Sequence, residues 1–231
     1  KTVSQFNSII CDSKKYRAIL SSDVASSFLN FYLGHIIADE VQKNTSHFKG
    51  KLNEKIASSK VTVEERPLDK GPSFRSFDDE GVATSNKVLI DKGVLKTYLY
   101  NLATAKKDNT VSTGNGYRSS GKVSTALTNA RLKPSKLSES DLISKVKEGI
   151  YISDVEGLHA GMNGQSGNFS LQARGYLIKD GKLSTPVSLI TVAGNLFKIF
   201  QDVMMVANNI ENYRSVNSPS LLIKSIAVSG K

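Results

Sequence analysis

One long stretch of the chain carries apolar residues at three- and four-residue intervals. Val24, Phe28, Phe31 and His35 form one series, and Ala25, Leu29, Tyr32 and Ile36 form a second. Both have helical spacing, so a helix buried over a wide arc is predicted here. Ser21-Ser22-Asp23 just before it offers short oxygen side chains that can accept from the free amides of a first turn. The pattern fades after Val41, and Lys43-Asn44-Thr45-Ser46 reads as the exit. A second apolar stripe, Leu196, Phe200, Val203 and Ala207, has Phe197 and Met204 beside it and Asn195 as its cap. Ser138-Glu139-Ser140-Asp141 resembles a capping box and opens a third helix, predicted to end near Gly149. Ala103 to Lys107 is a short helical candidate.

Elsewhere the period is two. Tyr16 to Leu20 reads as a short strand, and Lys60 to Glu65 alternates up to Pro67. Val88-Leu89-Ile90 and Val94 to Leu99 flank Asp91-Lys92-Gly93, the mark of a hairpin with glycine at the tight position. Ile150-Tyr151-Ile152 is a strand. Phe169, Leu171, Ala173, Gly175 and Leu177 share one face of another, which turns at Asp180-Gly181 into Lys182 to Leu189, with Pro186 placed as on an edge. Leu221-Leu222-Ile223 and Ile226-Ala227-Val228 read as paired strands. The expected loops are Asp69 to Ser73, the polar and basic run 117–137, and the glycine-dense run from Glu156 to Gly167. Strands joined by hairpins, with about three helices not alternating among them, imply an α+β fold with a largely antiparallel sheet, open or closed into a barrel. Residues 1–15 are expected to be a linker or the remnant of a missing N-terminal domain, and 16–231 one domain.

At 231 residues the chain can bury a full core, and 39% hydrophobic content is ordinary for a globular protein. No run approaches the ~18 apolar residues that span a bilayer, and Lys1 to Gln5 has no apolar leader, so no membrane is expected. Cys11 is the only cysteine, which excludes an internal disulfide and fits a reducing, cytoplasmic setting. The net charge of +10 invites a nucleic-acid partner, but most of the basic residues are lysines spread along the chain and often followed by acids. A solvated surface explains them better.

Three ordered segments carry a family resemblance. The first is Phe77-Asp78-Asp79-Glu80-Gly81-Val82, running through the hairpin to Ser112-Thr113-Gly114-Asn115-Gly116. The second is Ser166-Gly167-Asn168-Phe169-Ser170 with Gly175-Tyr176-Leu177-Ile178 and Asp180-Gly181-Lys182. The third is Pro186-Val187, Ile190 to Leu196 and Asn208-Asn209-Ile210-Glu211. Together they resemble the C-terminal half of the TldD/PmbA family of zinc peptidases. The form Ala193-Gly194-Asn195-Leu196 looks more like the PmbA (TldE) branch. The resemblance implies a further N-terminal domain in family members, action on unfolded peptides by the TldD branch, joint action of TldD and PmbA subunits, and a link to modulation of DNA gyrase.

It also implies a metal site to test. TldD-type members carry His-Glu-x-x-x-His on the early helix and a Cys near the C-terminus. Two imidazoles and a thiolate hold zinc with one position open for water, and the Glu takes a proton from that water. Five residues apart on a regular helix, the two histidines would diverge by roughly 140°, so the motif needs an irregular turn. Here Leu33-Gly34-His35 matches the motif's end, with His35 at the second His. Asn30 stands at the first His position, Phe31 at the Glu, and Ser218 is the best match for the thiolate. One ligand of three remains, so neither a bound zinc nor a catalytic residue is expected. His35 is expected to be a buried histidine satisfied by a hydrogen bond.

The first reading is therefore a metal-free subunit that binds extended peptide and supports a TldD-like subunit, or acts as a homodimer. Gly114, Asn115, Gly116, Gly164 and Gly167 are its candidate peptide-cleft residues. The alternatives are an autonomous metallopeptidase using His35 with Asp39 or Glu40, and a basic module acting on DNA gyrase or nucleic acid.

Overall fold

The computed structural model describes residues 8–71, 73–119, 121–211 and 214–230. Residues 1–7 of the expected linker, Pro72 of the turn-rich loop and Ser120 of the expected long loop lie outside the described residues. In chain order the elements open with β1 (Lys14–Leu20), α1 (Ser22–Gly34), α2 (Ala38–Gln42), β2 (Val63–Glu65), β3 (Lys87–Asp91) and β4 (Val94–Leu95). Next come α3 (Leu102–Lys107), β5 (Gly116–Ser119), β6 (Lys122–Thr125), β7 (Ala130–Leu132), α4 (Glu139–Ser144) and β8 (Glu148–Glu156). The chain closes with α5 (Leu158–Gly161), β9 (Asn168–Lys179), β10 (Lys182–Asn195), α6 (Leu196–Gln201), β11 (Val203–Val206), β12 (Val216–Asn217) and β13 (Leu221–Ser229). The fold is α+β, as expected. Its described helices number six rather than about three: the helix expected to run to Val41 breaks after Gly34 and leaves α2 as a separate piece, α3 is the short candidate at Ala103 to Lys107, and α5 is a single turn too short to show a period.

Two compact units share the chain, and their boundary falls within α1, after Phe28. The first comprises residues 1–28, 134–211 and 218–231. Its strands run in the order β1-β8-β9-β10-β13-β11, and a further pairing of β1 with β13 closes five of them into a barrel. The pairing of β1 with β8 is parallel; the others are antiparallel. In β9 the predicted alternation holds from Phe169 to Gly175, with Phe169, Leu171, Ala173 and Gly175 buried, but it fails at Leu177, which is half-buried while Ile178 is buried instead. Gly175 is required, since a Cβ there would lie 1.8 Å from the Tyr151 carbonyl oxygen of β8. The turn into β10 has Asp180 and Gly181 both at positive φ (47° and 74°), the conformation of a two-residue hairpin whose twist suits the strands. α4 docks on this sheet through a cluster of Ile19, Leu142, Val146, Ile178, Ala207 and Leu222. Phe28 of α1 meets the Phe169 ring at 5.1 Å between centroids.

The second unit comprises residues 29–133 and 212–217. Its five-stranded sheet has the order β12-β7-β2-β3-β4, and β5 and β6 form a separate hairpin. The β3–β4 turn has Lys92 and Gly93 at positive φ, as the sequence predicts.

Four sequence expectations are corrected. The run 117–137 is not a loop: it holds β5 with β6, and β7, each only three or four residues and polar on one side. The stripe through Ala207 is not one helix: α6 stops at Gln201, and Val203–Val206 pairs with β13 as a strand. The helix opened by Ser138 ends at Ser144, well before Gly149. Leu221 to Val228 is one strand, β13, rather than two paired ones, and it pairs with β1 along one edge and with β11 and then β10 along the other. Among the described residues no helix is long and apolar enough to cross a membrane.

Candidate functional site

The metal-motif positions lie where α1 ends. Ser21 caps its start, its hydroxyl oxygen accepting from the Val24 amide at 3.3 Å. At the far end regular hydrogen bonding gives way after Gly34. His35, Ile36 and Ile37 donate instead to residues three back, Tyr32, Leu33 and Gly34, at 3.1–3.3 Å. The irregular turn that the motif spacing demands is therefore present. What holds it is a pair of backbone bonds to Leu99: Ala38 N–H to the Leu99 carbonyl and Leu99 N–H to that of Ile36, both 2.9 Å.

His35 is buried in this turn, 7% exposed. Its Nδ1 accepts from the His47 amide at 3.1 Å, which leaves the ring proton on Nε2. Its carbonyl accepts from the Ser46 hydroxyl at 2.5 Å, and its ring packs edge-on to Phe48 at 5.8 Å. This is the structural histidine expected from its stripe. Asn30 is exposed and Phe31 half-buried. Ser218 belongs to the first unit, while Asn30, Phe31 and His35 belong to the second. Ser218 is buried, and its amide and carbonyl are clamped by the hydroxyl of Ser26, at 2.8 and 3.4 Å. The Ser218 hydroxyl itself donates to the Pro219 carbonyl at 2.9 Å.

These residues do not fit zinc. An amide and a phenyl ring stand where an imidazole and a carboxylate would be needed, and the one imidazole accepts a backbone N–H at Nδ1, which leaves Nε2 protonated instead of presenting a lone pair. Among the described residues no three His, Cys, Asp or Glu side chains come together to hold a metal ion. Of the alternative ligands, Glu40 is committed to the Thr45 hydroxyl at 2.6 Å and to Lys43. The Thr45 bond, ahead of Lys43, holds its carboxyl below the usual range. Asp39 Oδ2 is buried without a hydrogen-bond partner among the described residues.

The candidate cleft glycines divide between the units. Gly114, with φ of 70°, would put a Cβ 2.7 Å from the Ala83 carbonyl oxygen, and the Gly116 amide donates to Asp78 at 2.8 Å. Between them Asn115 is 1% exposed. Gly164 is exposed with open space around it, whereas Gly167 lies under the Phe197 ring.

Asn115 leads to a group the sequence reading missed. Its side-chain amide donates to both carboxylate oxygens of Glu65, at 2.9 and 3.0 Å, and to the Ala126 carbonyl. Glu65 is fully buried and also receives Lys87 at 2.8 Å and the Thr128 amide at 2.7 Å. A signal was available: Glu65 shares the inward face of its strand with Val61 and Val63, and a charge there needs partners.

Comparison with known proteins matches residues 13–230 to the PmbA/TldA metallopeptidase C-terminal domain family. A protein named metalloprotease PmbA homolog from Buchnera aphidicola (subsp. Baizongia pistaciae) is 34% identical over the whole chain, which spans 50% of that protein. A crystal structure from Thermotoga maritima, described as a candidate modulator of a DNA gyrase, superposes with a TM-score of 0.91 at 35% identity, covering 98% of this chain and 52% of that one. TldE from Thermococcus kodakarensis superposes at 0.90 with 25% identity, covering all of this chain and 53% of that one. The chain thus spans about half the length of the relatives it matches. A match over nearly its full length, with neighbours named PmbA and TldE, places the chain in the PmbA/TldD family, on the PmbA/TldE-like side.

Proposed function

We propose that this chain is a metal-free, peptide-binding component of a cytoplasmic proteolytic assembly, supporting a TldD-like subunit that carries the complete His-Glu-x-x-x-His. The observation that carries this reading is the state of α1 and its end. The position of the general base is Phe31, that of the first imidazole is the exposed Asn30, and His35 spends its Nδ1 on the His47 amide. A hydrolytic centre needs three ligands with an open fourth position and a base. None of the motif positions offers that base, while the chain keeps the family's fold. A partner subunit is the economical source of the missing chemistry, and a homodimer of this chain would lack it twice over.

The test is reconstitution. The purified protein alone is expected to leave unfolded peptides intact, and cleavage is expected when a TldD-like subunit is added. Cleavage by this chain alone, abolished in His35→Ala together with loss of stoichiometric zinc, would overturn the proposal. The net charge of +10 supports the alternative role on DNA gyrase or nucleic acid. Binding to duplex DNA that persists at about 0.2 M salt would favour it, and loss there would leave nonspecific attraction.

A further inference from the structure

The first unit holds an open cleft of about 650 Å³ beside the start of α1. Asp23, Glu139 and Glu211 line it, and Tyr151 and Tyr176, paired across β8 and β9, form one wall. Its lining cation, Arg174, is already paired with Asp154 and, at 3.4 Å, with Glu156. In a chain of net charge +10 this is a local reversal of sign.

Glu139 is held in place from three directions. Its Oε1 accepts from the Tyr151 hydroxyl at 2.9 Å, the Ser220 hydroxyl at 2.6 Å and the Asn209 amide at 3.3 Å. A carboxylate has about four acceptor sites over two oxygens, and Oε2 takes part in none of these bonds. No three acids converge closely enough for a metal ion among the described residues.

The cleft also borders a strand edge that no described strand occupies. β1 pairs with β8 only as far as Leu20 with Ile152. Beyond that point Asp154, Val155 and Glu156 stay paired to β9 on one side, and no described strand pairs with them on the other. Ser21 still covers the start of this edge, its amide and hydroxyl donating to the carbonyls of Ile152 and Ser153, both at 3.0 Å, and Asp154, where the edge opens, lines the cleft. An extended peptide can add to such an edge through main-chain bonds while alternate side chains enter neighbouring pockets.

We propose that the cleft receives a lysine or arginine side chain of an extended peptide that adds as a strand to the open edge of β8, with Glu139 as its carboxylate partner. This deepens the peptide-binding reading and rests on it. The test uses the whole chain and three capped peptides of alternating Val and Thr with Lys, Gln or Glu at the centre, followed by titration calorimetry. The Lys peptide is expected to bind about tenfold or more tighter than the Gln peptide, with the Glu peptide weakest. Glu139→Gln keeps the acceptor that the three donors need, and should shrink the Lys–Gln gap to about threefold or less. Glu211→Gln serves as a second variant should the first unfold. N-methylation of alternate amides in the Lys peptide should abolish binding. Equal binding of all three peptides, or a gap that survives both substitutions, overturns the cleft assignment and leaves the peptide-binding reading standing. Binding of none overturns both.

Discussion

Glu65 is fully buried, and three partners make that tolerable: Lys87, the Asn115 amide and the Thr128 backbone N–H. Removing one member of a buried ion pair leaves the other charge uncompensated, typically a loss of about 3–5 kcal/mol. Lys87→Met is therefore expected to destabilise the protein by about that much in urea unfolding. The double variant Lys87→Met/Glu65→Gln should lose less than the two single losses combined, because the stranded charge goes with it. Glu40 gives a pH-dependent case. The Thr45 hydroxyl, the largest influence, holds its folded pKa below the ordinary value. Its contribution is thus complete above the ordinary carboxylate range and is lost as pH falls through the depressed value. Thr45→Val should accordingly be less stable than the parent at pH 7, with the gap narrowing as the pH is lowered toward 3. A gap that stays constant over that range would disprove the assignment.

At the level of single elements, side-chain chemistry at the ends does much of the work. Asn195 accepts from the amides of Phe197 and Lys198, and its own amide reaches the Ser166 carbonyl and the Asn168 side chain at 2.8 and 2.9 Å. Asn195→Ala should cost about 1–2 kcal/mol, read as a shift in the urea midpoint with unchanged slope. Such caps were legible in the sequence. Asn195 and Ser138 were identifiable from residue type and spacing, and Asp180-Gly181 and Lys92-Gly93 from their turn chemistry. The missed elements share a physical cause. Strands β5, β6 and β7 are three or four residues long and gain their stability from pairing, so no local pattern marks them. The apolar run Val203 to Val206 continues the helical stripe of Leu196 and Phe200 yet reads equally well as a short strand, and pairing with β13 decides between them. What stands at the motif positions 30, 31, 35 and 218 can be read off the chain. The Glu139 cleft could not be, because Tyr151, Asn209 and Ser220 meet it from 12, 70 and 81 residues away in sequence.

Over the whole molecule, the barrel of the first unit is closed by its first and last strands. Lys14 of β1 pairs with Val228 of β13 across nearly the full length of the chain. β13 is paired on both edges, and Leu221, Leu222, Ile223, Ile226 and Val228 along it are each at most 4% exposed. At about 1.5–3 kcal/mol for each buried aliphatic side chain, these five contribute about 8–15 kcal/mol. That equals the whole net stability of an ordinary domain, about 5–15 kcal/mol. A chain ending at Ser220 is therefore expected to lose the cooperative unfolding transition of the barrel, not merely to lower its midpoint. It should also bind a hydrophobic dye, since β1, β10 and β11 would each present an unpaired edge. A synthetic peptide of residues 221–230 added in trans supplies the same pairing and should restore the transition at an apparent midpoint that rises with peptide concentration. Circular dichroism against urea, with and without the peptide, distinguishes the outcomes. A truncated chain that still unfolds cooperatively near the parent midpoint would mean that closure through β13 is not what holds the barrel together.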